Sequence, residues 1–419
     1  MAETLPETAP PPLDGVLVLD LSRVLAGPLA AQTLGDLGAT VVKIENPDGG
    51  DDTRGWGPPY FGDEAAYYLA FNRNKRSVAV NLKSPDGVAL VRRLAERADV
   101  LIENQRLGTL ERMGLGVEAL RALNPRLIYA SVSGYGRTGP RAAEPGYDFV
   151  IQAESGLMAI TGERDGGPQK VGLPISDIIT GLTLGQSILA ALYARGRDGL
   201  GQHIDMALLE AQMAVLGNVG QGALITGREA ARYGNAHPNI VPYRVFQAAD
   251  GPIVIACGNE RQYRALCVGV LERPDLVSDE RFVTNDRRVR NRDVLEPLLD
   301  GLLAARPAED WLLRLRKHDI PSGRPRGVLE ALTAPEAEAR GVVQRGDGRP
   351  PLLRSPHRLS RTPVRESAEP PRRLGADTAV ILGDLLGLSD GELERLAACG
   401  AIRIDEEVHR HGQTRAGST

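Results

Sequence analysis

Through its first third the chain alternates short apolar runs with segments of helical spacing. The apolar runs are "GVLVLDLS", "TVVKIENP", "DVLIEN" and "RLIYASVSGYG". Each is too short for a core helix and long enough for a buried strand. Between them lie "GPLAAQTLGDLGA", "PDGVALVRRLAERA" and "GVEALRALNP", whose apolar residues recur at helical intervals. Gly38 offers a cap at the end of the first helix, Pro47 stops the second strand, and Pro85 opens the next helix. Such alternation predicts a parallel sheet covered by helices on both faces. The expected class is therefore α/β, Rossmann-like. In open sheets of this kind ligands sit beyond the carboxyl ends of the strands.

The pattern continues with a long, mostly apolar helix over 178–195, and "HIDMALLEAQMAVL" reads as a strand and then a helix. Near residue 225 the style changes. "YRVFQAADGPIVIACG" predicts a β-hairpin turning at Asp250–Gly251, and charged helices follow in "DVLEPLLDGLLAAR" and "PAEDWLLRLRKH". With 419 residues there is room for more than one core. The expected division is a disordered leader (1–12), a large α/β domain (13–224), a smaller α+β domain (225–330), a return segment completing the large domain (331–404) and a flexible tail (405–419). Pro and Arg dominate 344–375, which predicts an extended connection. "SDGE" at Ser389–Glu392 predicts a capping box.

Composition excludes some partners. The net charge of −4 creates no global positive field for nucleic acid or acidic membranes. Aromatics at 4% are too sparse for a base-stacking platform. No uninterrupted apolar run reaches the roughly 20 residues of a membrane helix. "MAETLPETAPPPLDG" reads as a Pro-rich leader and not as a signal peptide. Cys257, Cys267 and Cys399 lack metal-type spacing and sit among apolar residues, which predicts buried thiols and a cytoplasmic protein.

Asp177 is the single acid in "KVGLPISDIITGLTLGQSILAALYAR". It, or Ser176, suits a helix N-cap. The same place also suits a nucleophile, because a held carboxylate with little water around it can attack an activated acyl group. The two roles are compatible. "SGYGRTGP", with glycines at 134, 136 and 139, is either a surface loop or a place where backbone approaches a ligand closely. "NRNKRSVAVNLKS" carries Arg73, Lys75, Arg76 and Lys83, which suit a solvated face or a phosphate clamp. Arg106 and Arg112 add two more cations. His203 and His237 read as structural. No HExxH, paired-Cys motif or serine nucleophile elbow is present, which argues against a metallohydrolase and a serine esterase, and no metal is expected.

Seven stretches in order then resemble one family: "LDLSRVLAGPLAAQTLGDLGATVVKIENPDGGDDTRGWGPP", "NRNKRSVAVNLKS", "VLIENQRLGTLERMGLG", "ASVSGYGRTGP", "GYDFVIQAESGLMAITG", "SDIITGLTLGQSILAALYAR" and "IVPYRVFQAADG". The chain, from about Leu13 to about Ile402, is similar to the class III (CaiB/BaiF-type) coenzyme A transferases. Formyl-CoA:oxalate and carnitine CoA-transferases belong to that family.

The resemblance implies that Asp177 attacks an acyl-CoA thioester and that transfer runs through an aspartyl-acyl anhydride and an enzyme–CoA thioester. It places coenzyme A against Val24 and Leu25, Lys83 with residues 80–83, Asn104, Gln105, Arg106, Arg112 and Tyr135. It also implies an interlocked homodimer. Leu25 replaces a Gln of the formyl-CoA branch, and 225–330 lacks that branch's run of glycines. "GDDTRGWGPP", "YYLAFNRNKRSVAVNLK", "PGYD" and "HPNIVPYRVF" resemble instead the succinyl-CoA:glutarate and related dicarboxylate transferases. A distal carboxylate needs a cation. Arg54, Arg73 and Arg244 are the candidates, each equally suited to a structural ion pair. The family's α-methylacyl-CoA racemases have His where this chain has Tyr147, and Tyr, with a reference pKa of about 10, is a poor base near pH 7. A racemase-like isomerase and a non-catalytic CoA-binding protein remain the alternatives.

Overall fold

The computed structural model describes residues 9–365 and 368–405. Residues 1–8 of the expected leader and 406–419 of the expected tail lie outside the described residues. Two compact units share the chain. The first comprises Met1–Ser155, Gly172–Val215 and Pro335–Thr419, and the second Gly156–Val171 and Leu216–Ala334. The second unit thus takes in a short early segment besides the region around 225–330.

The apolar runs of the first unit become strands: β1 (Leu17–Asp20), β2 (Thr40–Glu45), β3 (Lys75–Val80), β4 (Val100–Glu103), β5 (Ile128–Ser133), β6 (His203–Ala207) and β7 (Ile402–Arg403). They form one sheet in the order β7-β3-β2-β1-β4-β5-β6. All pairs are parallel except β7, which runs antiparallel to β3. Leu19 pairs with Val42 on one side and Leu101 on the other. Chain order reverses at β1 and β4, so their carboxyl ends open a crevice.

Helices α1 (Ala26–Asp36), α2 (Pro85–Ala95), α3 (Val117–Leu123), α4 (Asp148–Glu154), α5 (Ile175–Asp198), α6 (Leu208–Ala214), α7 (Thr378–Leu386) and α8 (Asp390–Ala398) cover the sheet. One core joins Leu19, Val42, Val78 and Leu101 to Leu90 and Leu94 of α2, Leu120 of α3, Leu382 of α7 and Leu396 of α8. On the opposite face Val18, Val41 and Ile102 meet Ala30 and Leu34 of α1 and Leu184 and Ile188 of α5. Helix α5 is long and apolar enough to span a bilayer by length and composition. One of its faces is nonetheless buried in this core. The expected capping box forms at Ser389 and Glu392.

Three local expectations are corrected. The Pro/Arg-rich segment is not extended throughout: Val343–Gly346 and Arg349–Leu353 pair as a hairpin around Asp347–Gly348, a dipeptide suited to a tight turn. The hairpin after 240 pairs Ala248 with Gly251, so Ala249 and Asp250 are its two loop residues. Cys257 and Cys267 are buried but Cys399 is exposed, because it sits at the C-cap of α8 and not on its inner face.

The second unit is α+β. The strands Tyr243–Ala248 and Gly251–Ala256 pair antiparallel, and Ser322–Gly323 adds an edge. Phe246, Ile253 and Ile255 pack with Phe282 and with Leu295, Leu299, Trp311 and Leu315 of the charged helices.

Candidate active site

Asp177 stands in the first turn of α5, behind Pro174 at the N-cap. It does not cap the helix, and neither does Ser176. The N-cap residue is a proline, which has no N–H from which an acid at the third helical position could accept. Asp148, at the start of α4, caps the helix instead: its Oδ1 accepts from the amides of Ser176 (2.8 Å) and Asp177 (3.3 Å). Its Oδ2 accepts from Gln152 (2.7 Å). The Ser176 hydroxyl donates to Gln212 of α6 (2.9 Å).

These contacts leave the Asp177 carboxylate uncommitted. Among the described residues it has no hydrogen-bond partner, and burial together with the negative Asp148 pushes its pKa up to about 7. Burial and the charge of Asp177 in turn push Tyr67 up to about 12.

Packing brings this turn to the sheet crevice. Gly181 lies one turn beyond Asp177 on the same face of α5. A Cβ there would stand 2.7 Å from the Ala26 carbonyl and 3.0 Å from the Leu29 Cβ. Only glycine lets α5 approach the start of α1 so closely. A cleft of about 330 Å³ results, lined by Val24 and Leu25 after β1, Asn104 to Leu107 after β4, Gly134 and Arg137 after β5, and by Tyr147, Asp177 and Leu208.

The loops that form the cleft are tightly held. The Asn104 side-chain amide accepts from the Arg23 N–H (2.9 Å) and donates to the Arg23 carbonyl (2.7 Å). Gln105 is fixed by its N–H donating to Glu103 (2.7 Å). The glycine loop is a place of close approach, since a Cβ on Gly134 would meet the Gly146 Cα at 2.6 Å. Gly136 and Gly139 take φ of 85° and 88°. Arg137 in this loop donates to Glu103 (3.1 Å), pairs with Glu111, and gives its N–H to Asp205 (3.0 Å).

Of the expected coenzyme contacts, Val24, Leu25, Asn104, Gln105 and Arg106 converge on this cleft with Asp177 and Tyr147. Tyr147 is 65% exposed there. Lys83, Arg112 and Tyr135 do not line it. Lys83 and Arg112 are exposed, and Arg112 donates to the hydroxyl of Thr109 (3.3 Å), a residue of the cleft wall. Tyr135 donates to Glu154 (2.7 Å) beneath the Arg141 guanidinium.

The three arginines named for a distal carboxylate are all ion-paired. Arg54 spends its guanidinium on Glu45 (2.9 Å), Glu64 (2.8 Å), the Tyr68 hydroxyl (2.6 Å) and the Arg372 carbonyl (3.0 Å). Arg73 pairs with Asp36 through two bonds of 3.0 and 2.5 Å. Arg244 belongs to the second unit and pairs with Asp300.

A model of CoA-transferase family III matches residues 13–378. The chain belongs to this family. It is a CoA-transferase, and acyl-CoA is its substrate. A succinate–glutarate CoA-transferase of Agrobacterium fabrum is 46% identical over 385 residues, covering 90% of this chain and 96% of that protein. An acetyl-CoA:oxalate CoA-transferase of Acetobacter aceti is 44% identical over 349 residues, covering 83% and 89%. The crystal structure of a CAIB/BAIF family protein from Brucella suis superposes with a TM-score of 0.80 at 44% identity, covering 90% of this chain and all of that one.

The site holds residues that the sequence did not single out. Asp148 follows Tyr147 within a quoted motif, but its use as a cap 28 residues downstream has no local signal. Gly181 looks like an ordinary helical glycine until α1 is in place.

Proposed function

We propose that this CoA-transferase moves coenzyme A from succinyl-CoA to a dicarboxylate such as glutarate, with Asp177 as the covalent nucleophile. The observation that carries the reading is a carboxylate in the wall of the cleft that, among the described residues, has no hydrogen-bond partner and whose pKa is pushed up to about 7. Similarity to the glutarate transferase supports the choice of substrates.

The steps balance without a proton transfer. An Asp177 oxygen attacks the thioester carbon, the C–S bond breaks, and CoA leaves as thiolate, giving the aspartyl-acyl anhydride. The thiolate attacks the aspartyl carbon and releases the donor's acid, leaving Asp177 as a CoA thioester. The acceptor carboxylate attacks that thioester, forming a second anhydride and freeing the thiolate again. The thiolate then takes the acceptor acyl group, and Asp177 returns as carboxylate. Each step needs a group that both attacks and leaves well, which a carboxylate does. No general base is required.

Arg106 lines the cleft and, among the described residues, its side chain has no partner, so it suits a coenzyme phosphate. The reading includes a cytoplasmic homodimer. Leu182 and Tyr193 of α5, 48% and 74% exposed, give an apolar stripe that a second copy would cover, and light scattering tests it.

Trapping with hydroxylamine after mixing with succinyl-CoA, followed by mass spectrometry, should place the adduct on Asp177. Asp177→Ala should lose transfer by at least about 10³-fold, the scale for loss of a covalent nucleophile, and still bind CoA. An adduct on another residue, or transfer by that variant, overturns the reading.

A further inference from the structure

Beneath the cleft four buried charges meet at the loop joining β1 to α1, and the steps above give them no role. Lys43 of β2 donates to the Ser22 carbonyl (2.9 Å) and pairs with Asp51 at 2.9 Å and Asp20 at 3.9 Å. Lys75 of β3 donates to Asp20 (2.8 Å), to the Pro28 carbonyl in the first turn of α1 (2.9 Å) and to Asn72 (2.8 Å). All four residues are more than nine-tenths buried. Two cations balance two anions. Such a group is rarely more stable than apolar residues packed in its place. Its presence therefore asks for a reason other than stability.

Val24 supplies one. Its φ is 71°, the left-handed region that a β-branched side chain avoids. The surrounding backbone is gripped from below. The Ser22 N–H donates to Asp20 (3.0 Å), the Ser22 carbonyl accepts from Lys43, and the Val24 N–H donates to Asp51 (3.3 Å). Asp51 is itself fixed by the Thr53 N–H (3.0 Å) and hydroxyl (2.7 Å). Immediately after Val24, α1 opens at Leu25 and Ala26 with no side-chain cap, in the wall of the cleft that holds Asp177. When a carboxylate attacks a thioester, the carbonyl oxygen becomes negative, and fixed backbone donors stabilise it.

We propose that Lys43 and Lys75, with Asp51 and Asp20, are positioning residues for acyl transfer: they hold Val24 in its strained conformation and so keep the Leu25 and Ala26 amides set beside Asp177. The proposal rests on Asp177 being acylated. None of the four touches the reacting atoms. Their contribution is to the rate of acylation and not to coenzyme affinity.

The test compares Lys43→Met, Asp51→Asn, their double variant, and Lys43→Met combined with Val24→Gly, all in the full-length protein. The single-turnover rate of hydroxylamine-trappable adduct formation from succinyl-CoA should fall about 10- to 100-fold in Lys43→Met, the scale for a small displacement of a catalytic element. The Kd for CoA should stay within about three-fold. The double variant should lose no more than the worse single, because the pair acts as one device. Val24→Gly should restore part of the rate to Lys43→Met, since glycine takes that φ without being held. Should Lys43→Met fail to fold, Asp51→Asn, equal in size and still an acceptor, carries the comparison. An unchanged acylation rate in a folded variant overturns the proposal, as does loss of rate and CoA affinity in proportion, or the absence of rescue by Val24→Gly. Wild-type protein that forms no adduct at Asp177 would overturn the nucleophile itself and this proposal with it.

Discussion

Replacing Asp177 by Asn should make the protein more stable above neutral pH while abolishing transfer. Burial and the neighbouring Asp148 raise the carboxyl from an ordinary 3.8 to about 7. That is roughly three powers of ten in proton affinity, or ~4 kcal/mol against the ionised form at pH 8. The sign follows from linkage. The folded pKa exceeds the unfolded one, so the associated stability is fully present below about pH 4, declines as pH rises to about 7, and is gone beyond. Asparagine never ionises and escapes that decline. It introduces an amide without a partner, which costs about 1–2 kcal/mol. The net gain at pH 8 is then ~2–3 kcal/mol, worth roughly 5 °C or more in melting temperature for a unit of this size. Near pH 4 the gain should vanish or reverse. Thermal unfolding of both proteins between pH 4 and 8 measures this. A variant no more stable at pH 8, or a difference that does not change with pH, would show that the carboxylate is not held in an unfavourable charged state.

The kcat/KM for acylation should rise with pH through about 7 as Asp177 ionises, and Asp148→Asn, which keeps the helix cap but drops the charge, should move that limb up to about one unit toward acid; a pH–rate profile of each protein decides it. Gly181→Ala should destabilise the protein by about 2 kcal/mol and impair transfer, because the new methyl meets the Ala26 carbonyl at 2.7 Å; urea unfolding and a transfer assay read the two effects. Arg54→Met should destabilise by about 3 kcal/mol or more, since it strips Glu45 of its guanidinium, and should leave acceptor preference unaltered in the folded fraction; a panel of acceptor acids checks the second half.

The α/β alternation was legible because β1, β2, β4 and β5 are short, mostly apolar runs separated by helical spacing; β3, which begins Lys-Arg-Ser, and the two-residue β7 carry less of that signal. Asp177 was legible as an odd acid in an apolar helix, but its surroundings were not. Asp148 reaches it only when two loops converge, and no local pattern encodes a cap 28 residues away. The arginines show the opposite difficulty. Arg54, Arg73 and Arg244 look identical in sequence to substrate-binding cations, and only the positions of Glu45, Asp36 and Asp300 reveal their partners. Lys43 sits in a strand that otherwise reads as core, and Lys75, which the structure buries, sits in a run of cations that reads as a solvated face or a phosphate clamp; neither carries a sign in the sequence of the carbonyl it will hold. The hairpin at 343–353 was hidden by its prolines, which suggest an open connection and are tolerated on an edge strand.

The edge strand β7 has a consequence for synthesis. Asn81, at the end of β3, bonds Gly400 across a separation of 319 residues. A ribosome therefore translates the whole second unit while the rim beside β3 still lacks its partner. Unpaired rims of this sort recruit other chains. The interval between making one side of that seam and the other is the period in which a nascent polypeptide is most exposed to association, and chaperone protection would matter most then.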